Sequence, residues 1–146
     1  MNLRRIVAAT DFSDVSLAAI ETAFSLASET GATLYLLYVM ELPLAIDPVV
    51  GIVGPPVQEQ YEAEMERLSE LVPVNMKEKV EFVVLEGVPA RKIAEFAASC
   101  GADLIVVGTH GRKGLSRMLL GSTAESLLRE APCQVLIAKQ RVAREA

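Results

Sequence analysis

From Gly108 to Thr123 the chain reads Gly-Thr-His-Gly-Arg-Lys-Gly-Leu-Ser-Arg-Met-Leu-Leu-Gly-Ser-Thr. Glycines at 108, 111, 114 and 121 let a backbone curl so that its N–H groups converge. Arg112, Lys113 and Arg117 add positive charge, and no Asp or Glu occurs between Asp103 and Glu125. The whole chain carries a formal net charge of -5, so this is a basic spot on an acidic protein. Such a loop suits an anion, and phosphate is the anion of choice. It is not a P-loop, because no G-x-x-x-x-G-K-[ST] occurs, and no G-x-G-x-x-G follows a strand. What stands instead is Gly108-x-x-Gly111, nine residues, then Gly121-Ser122.

The elements on either side position that loop. Leu104 to Val107 is an apolar run that reads as a buried strand. Ala124, Leu127, Leu128 and Ala131 fall at the i, i+3, i+4, i+7 spacing of an amphipathic helix. The loop therefore offers backbone N–H groups and the positive end of a helix dipole to whatever lies above it. The same alternation runs along the chain. Leu3–Ala9 reads as a first strand, Thr10–Asp14 as a polar turn rich in capping residues, and the next helix buries Ile20, Ala23, Phe24 and Ala27 before Gly31. Thr33–Met40 is a second strand. Glu41–Pro56 is irregular, yet its Leu42, Leu44, Ile46, Val49, Val50, Ile52 and Val53 suit a lid or an interface. Tyr61, Met65, Leu68 and Val72 mark a second helix, ended by Pro73. Val80–Leu85 is a third strand, and the helix opening at Pro89 buries Ala90, Ile93, Ala97 and Cys100. Gln134–Lys139 is a fifth strand.

Five near-continuously apolar strands with four intervening helices predict a single α/β domain over residues 1–146, built on an open parallel sheet. Ligands of such sheets bind beyond the carboxyl ends of the strands, where strand order reverses. The exits of the first, second and fourth strands are then the loops that matter.

Composition narrows the function classes. The chain is 51% hydrophobic and only 5% aromatic, a core of Val, Ile, Leu and Ala. A pI near 4.9 opposes broad nucleic-acid contact. No apolar run reaches the length of a membrane span, and the start is no signal peptide. Two cysteines, Cys100 and Cys133, make no disulfide framework and read as inert core thiols of a cytoplasmic protein. A single histidine, His110, lacks the companions a metal site needs.

The glycine-spaced loop resembles that of the universal stress protein family, in its nucleotide-binding branch. The resemblance extends to the opening Ile6-Val-Ala-Ala-Thr-Asp11-Phe-Ser13, the strand ending Tyr38-Val39, and Glu86-Gly-Val-Pro89. It includes Asp103-Leu-Ile-Val-Val-Gly-Thr-His-Gly-Arg112 and the final Pro132-Cys-Gln-Val-Leu-Ile137. It implies a Rossmann-like sheet in the order 3-2-1-4-5 with helices on both faces, and ATP or AMP in the crevice between the first and fourth strands. Thr10 and Asp11 would lie at the adenosine, and the Val39 main chain would read the adenine edge. Gly108, Thr109, Gly111 and Arg112 would let the backbone approach ribose and phosphates, which Gly121, Ser122 and Thr123 would hold. The protein would supply no metal ligands of its own, with Mg²⁺ near Asp11 only if ATP carries it. The family also implies a homodimer paired through the fifth strand, Gln134–Lys139, whose unpaired edge is apolar at Val135, Leu136 and Ile137.

Plainer readings stand beside these. Ser122 and Glu125 form an S-x-x-E capping box that would start the helix without a ligand. Asp11 and Ser13 compete as caps of the first helix. His110 reads as a solvated hydrogen-bonder, and the loop cations read as solvated apart from one on phosphate. Glu59, Glu62, Glu64 and Glu66 form the polar face of the second helix. No positioned base or Mg²⁺ carboxylate set for phosphoryl transfer is evident. The expectation is a nucleotide-binding regulatory protein of the stress response with slow or no hydrolysis. The alternatives are an adenylating or ATP-pyrophosphatase enzyme on a similar sheet, or a dimeric scaffold whose nucleotide is structural. The enzyme alternative would place a glycine-rich loop after the first strand, where Thr10-Asp-Phe-Ser-Asp14 has none.

Overall fold

The computed structural model describes residues 2–41, 45–53, 57–109 and 120–140. In chain order its elements are β1 (Arg5–Ala9), α1 (Asp14–Thr30), β2 (Thr33–Met40), β3 (Ala45–Asp47), β4 (Gly51–Val53) and α2 (Val57–Glu70). A short 3-10 helix (Val74–Lys79), β5 (Val80–Glu86), α3 (Pro89–Cys100), β6 (Leu104–Gly108), α4 (Ser122–Glu130) and β7 (Gln134–Ala138) complete them. Five strands form one parallel sheet in the order β5-β2-β1-β6-β7. Numbered among themselves these are 3-2-1-4-5, the expected order, with reversal at β1.

Side chains alternate across each strand, so a strand covered on both faces must be apolar at every position. Ile6 and Ala8 of β1 join Leu34 and Leu36 of β2, and Leu104 and Val106 of β6, under α1 and α2. Val7, Leu37, Val39, Ile105 and Val107 pack on the other face against Ala90, Ile93 and Ala97 of α3 and Ala124 and Leu127 of α4. Helices therefore lie on both faces, as expected. α1 closes at Gly31, whose φ of 73° is the left-handed conformation that glycine adopts at no steric cost.

Several expected boundaries and faces shift. β1 begins at Arg5, and β7 ends at Ala138. Met65 is 38% exposed and Leu128 53% exposed, because α2 and α4 lie toward the two sheet edges and bury only narrow stripes. Val72 is buried, but beyond the end of α2. Cys100 is only half-buried. The stretch expected to be irregular contains an antiparallel hairpin, Ala45–Asp47 with Gly51–Val53. Pro48 and Gly51 serve the turn: Gly51, at φ 84°, closes the three-residue loop 48–50. The loop carries Val49 and Val50, both largely exposed.

At the amino end of the sheet, Asp103 Oδ2 accepts the N–H groups of Arg4 at 2.8 Å and Arg5 at 3.0 Å. The Asp103 N–H donates to the Arg5 carbonyl at 2.9 Å, so β1 and β6 are pinned in register away from the ligand end. Those two backbone donors hold the Asp103 carboxyl below the usual carboxylate range. A carboxyl with a lowered folded value stabilises the fold fully above its unfolded value, about 3.9, and loses this as pH falls through the folded value. Denaturant titrations of Asp103→Asn should therefore show lower stability than the parent at neutral pH. The gap should narrow as pH falls below about 4; a gap constant with pH contradicts this role.

Candidate functional site

The central strand ends before its neighbour. Thr10 N–H donates to the Leu37 carbonyl at 3.0 Å as the last rung between β1 and β2, whereas β2 continues to Met40. Main-chain direction alternates along β2. The Leu37 carbonyl points toward β1, and the Met40 carbonyl accepts Gly87 N–H at 3.0 Å on the β5 side. Val39 shares the parity of Leu37, so its N–H and C=O face the side that β1 has already left. Its side chain is 7% exposed. The expected adenine reader is thus a buried side chain whose main-chain edge is left unpaired by β1.

The chain leaves β1 through a turn built on one hydroxyl. Thr10 is 6% exposed. Its Oγ1 accepts Phe12 N–H at 2.9 Å and lies 2.9 Å from Ser16 Oγ. Ser16 Oγ–H donates to the Ser13 carbonyl at 2.9 Å, so Thr10 is the donor of the hydroxyl pair. Ser13 is the cap of α1, its Oγ accepting Ser16 N–H at 3.3 Å. Asp11 Oδ1 accepts Ser13 N–H at 3.0 Å. The contest between Asp11 and Ser13 resolves into two successive roles: Asp11 shapes the turn, and Ser13 caps the helix. Ser16 belongs to this cluster and carried no signal in the sequence beyond its spacing from Ser13.

On the other side of β1, Gly108 ends β6. A Cβ there would fall 2.9 Å from Val15 Cγ1 and 3.0 Å from the Val15 carbonyl oxygen. Its lack of a side chain lets the first turn of α1 lie against the end of β6. Thr109, 8% exposed, accepts Gly121 N–H through its carbonyl and so closes the base of that loop. Gly111 and Arg112, with His110, Gly114 and the other loop cations, lie outside the described residues.

α4 opens without the expected capping box. Gly121 is the cap, Ser122 is already the first helical residue, and no side chain caps the helix. Held by its N–H on Thr109, Gly121 takes the capping place that the box would give Ser122. Glu125 pairs with Arg129 at 3.6 Å instead of reaching back. The first-turn N–H groups consequently have no side-chain acceptor among the described residues. Gly121 sits at φ -73°, ψ 167°, open to any residue, so its conformation does not require glycine.

Neither cysteine belongs to this end of the molecule. Burial pushes both thiols up, which keeps them protonated and unreactive at neutral pH. Among the described residues no group of three His, Cys, Asp or Glu could hold a metal ion.

An open parallel sheet in this order, with a glycine-flanked loop and a polar turn beside the end of its central strand, defines a Rossmann-like α/β protein. Residues 2–139 match the universal stress protein family, and the chain belongs to that family. It is 40% identical over 147 residues to a universal stress protein of Methanocaldococcus jannaschii, covering 94% of this chain and 82% of that one. Among solved structures, universal stress protein UspA from Lactobacillus plantarum superposes with a TM-score of 0.77 at 24% identity, covering 94% of this chain and 99% of that one. A universal stress protein solved in complex with cAMP gives 0.68 at 24% identity, covering 95% and 98%. One from Archaeoglobus fulgidus in complex with dAMP gives 0.65 at 22% identity, covering 95% and 100%.

The two serines at the helix starts should separate on substitution. Ser13→Ala should cost about 1 kcal/mol in denaturant unfolding, as loss of a cap does. Ser122→Ala should stay within about 0.5 kcal/mol of the parent, as a surface change away from any cap does. Equal losses at both would return Ser122 to a capping role.

Proposed function

We propose that this protein binds an adenine nucleotide, ATP or AMP, above the end of β1 and acts as a regulatory protein of the stress response. The observation that carries this reading is the start of α4, which no side chain caps among the described residues and which is tied to the end of β6, at the same end of the sheet as the main-chain edge of Val39 that β1 leaves unpaired. Phosphate oxygens would take the N–H groups of Ser122 and Thr123, and their hydroxyls would add donors. Adenine offers a ring acceptor beside an amino donor, which complements one residue's N–H and C=O; guanine reverses that order. The backbone angles of Gly121 do not require glycine, and close approach of phosphate to the main chain would be the reason for one there. Two family members of the same fold were solved with adenine nucleotides, which supports the same class of ligand.

Asp11 is where Mg²⁺ accompanying ATP would find a carboxylate. The other acids at this end of the sheet, Asp14 and Glu86, are read as surface carboxylates and not as a catalytic base. Hydrolysis is therefore slow or absent, and the nucleotide is a signal or a structural ligand, not a fuel. No helix of the described residues is long and apolar enough to cross a membrane. β7 pairs only with β6 among the described strands, with Val135, Leu136 and Ile137 half-buried. Pairing with a second copy would satisfy that edge.

Three measurements check these statements. Calorimetry should show ATP and AMP binding and GTP binding at least about 10-fold more weakly, the worth of roughly one mispaired hydrogen bond. Gly121→Val should abolish ATP binding with the circular dichroism spectrum unchanged. No heat with any adenine nucleotide, or normal binding by Gly121→Val, contradicts the site. Phosphate release should fall far below the typical enzyme range of about 1–1,000 s⁻¹; turnover in that range, lost in Asp11→Asn, would make the protein an enzyme. Light scattering should give twice the 15.7 kDa chain mass, shifted toward monomer by Leu136→Pro. A parent that stays monomeric with ATP rules out the paired edge.

A further inference from the structure

Phe12 follows Asp11 at φ 65°, and it is the one non-glycine residue with positive φ among the described residues. A bulky side chain in that region is strained, and such strain persists only where the surroundings over-determine it. Three contacts do so here. Its N–H is held by Thr10 Oγ1. Its ring packs on Tyr38, next to Val39 on β2, with centroids 4.9 Å apart at 52°. The Arg67 guanidinium of α2 lies over the Phe12 ring, 3.8 Å from its centroid. Arg67 is in turn held by Glu64 at 3.4 Å, and its side chain is 45% exposed.

We infer that this stack is a clamp: Arg67 and Phe12 are positioning residues that hold the Asp11 turn in its binding shape and couple α2 to nucleotide affinity. Neither needs to touch the ligand. Without the ring and cation the strained turn relaxes to negative φ, and Asp11 leaves the crevice. The turn must then be reordered whenever nucleotide binds, so affinity falls. An anionic partner that drew Arg67 away from the ring would loosen nucleotide by the same route. This inference rests on the proposed nucleotide site.

Strain gives the test its sign. Glycine adopts φ 65° freely, whereas alanine does not. If Phe12 served only as apolar packing, Phe12→Gly would bind as poorly as Phe12→Ala, or worse. A clamp on a strained turn predicts the reverse order. Titration calorimetry with ATP and with uncharged adenosine, on the full chain and its variants, reads it. Phe12→Ala should weaken ATP binding about 10-fold and Phe12→Gly about 3-fold, the difference being the strain that glycine avoids. Arg67→Ala should weaken ATP and adenosine alike by about 3-fold, the size of an exposed cation–π contact, and Arg67→Lys should restore part of it. Ligand-free melting curves show that each variant is folded, and exposed Arg67 keeps the test sound should Phe12→Ala misfold. Phe12→Gly binding no better than Phe12→Ala overturns the clamp. So does a loss in Arg67→Ala confined to ATP, which would make Arg67 a phosphate ligand. Unchanged binding in all variants overturns the clamp alone, whereas no binding by the parent overturns the nucleotide site and the clamp together.

Discussion

A buried hydroxyl at the end of the central strand organises the working end of this molecule. Thr10 is covered by protein, and a buried polar group left unpaired costs roughly 1–3 kcal/mol. Its oxygen is satisfied only if Phe12 N–H bends back to it and Ser16 of α1 comes within reach. Those two demands fix the turn and the placement of the first turn of α1 together. The capping of α1 by Ser13 and the Asp11 bond to Ser13 N–H then follow within the same few residues. A strand that ran on to residue 12 would pair both main-chain groups of Val39.

The second constraint is steric and meets the first from the opposite side. Val15 of α1 occupies the space that a Cβ at Gly108 would need. Helix and strand are thereby in direct contact where β6 becomes the glycine loop. A glycine that looks like a ligand-approach residue has a packing reason of its own. Gly121 differs: its backbone angles are open to any residue, so the reading proposed above gives its missing side chain, and the first turn of α4, to the ligand. In the proposed site the polar groups are therefore divided: the Thr10 cluster would build the floor, and α4 would supply donors.

Most of the sheet was legible in the residues because a parallel strand buried on both faces must be apolar throughout. Thr33–Met40 could be bounded to the residue for that reason. The strand order was not legible from periodicity, since alternation along a strand carries no record of its neighbours; it came from the family resemblance. The hairpin at Ala45–Asp47 and Gly51–Val53 was hidden because a proline and a glycine that shape a turn are the same residues that break an element. The capping alternative at Ser122 fails for a related cause. S-x-x-E describes local pairing only, and the bond from Gly121 N–H to Thr109, across the loop, decided the register. Likewise the Arg67–Phe12 contact joins residues far apart in sequence, and nothing local announces it.

The central claim is that nucleotide lies at the carboxyl end of the sheet, on the main chain of Val39 and the start of α4. Amide chemical shifts followed by NMR during an ATP titration test it most directly. The N–H groups of Val39, Ser122 and Thr123 should move together and saturate at one affinity, while those of Arg4, Arg5 and Asp103 at the opposite end stay in place. Saturable shifts centred on Arg4, Arg5 and Asp103, or none at Val39 and Ser122 at saturating ATP, would contradict it.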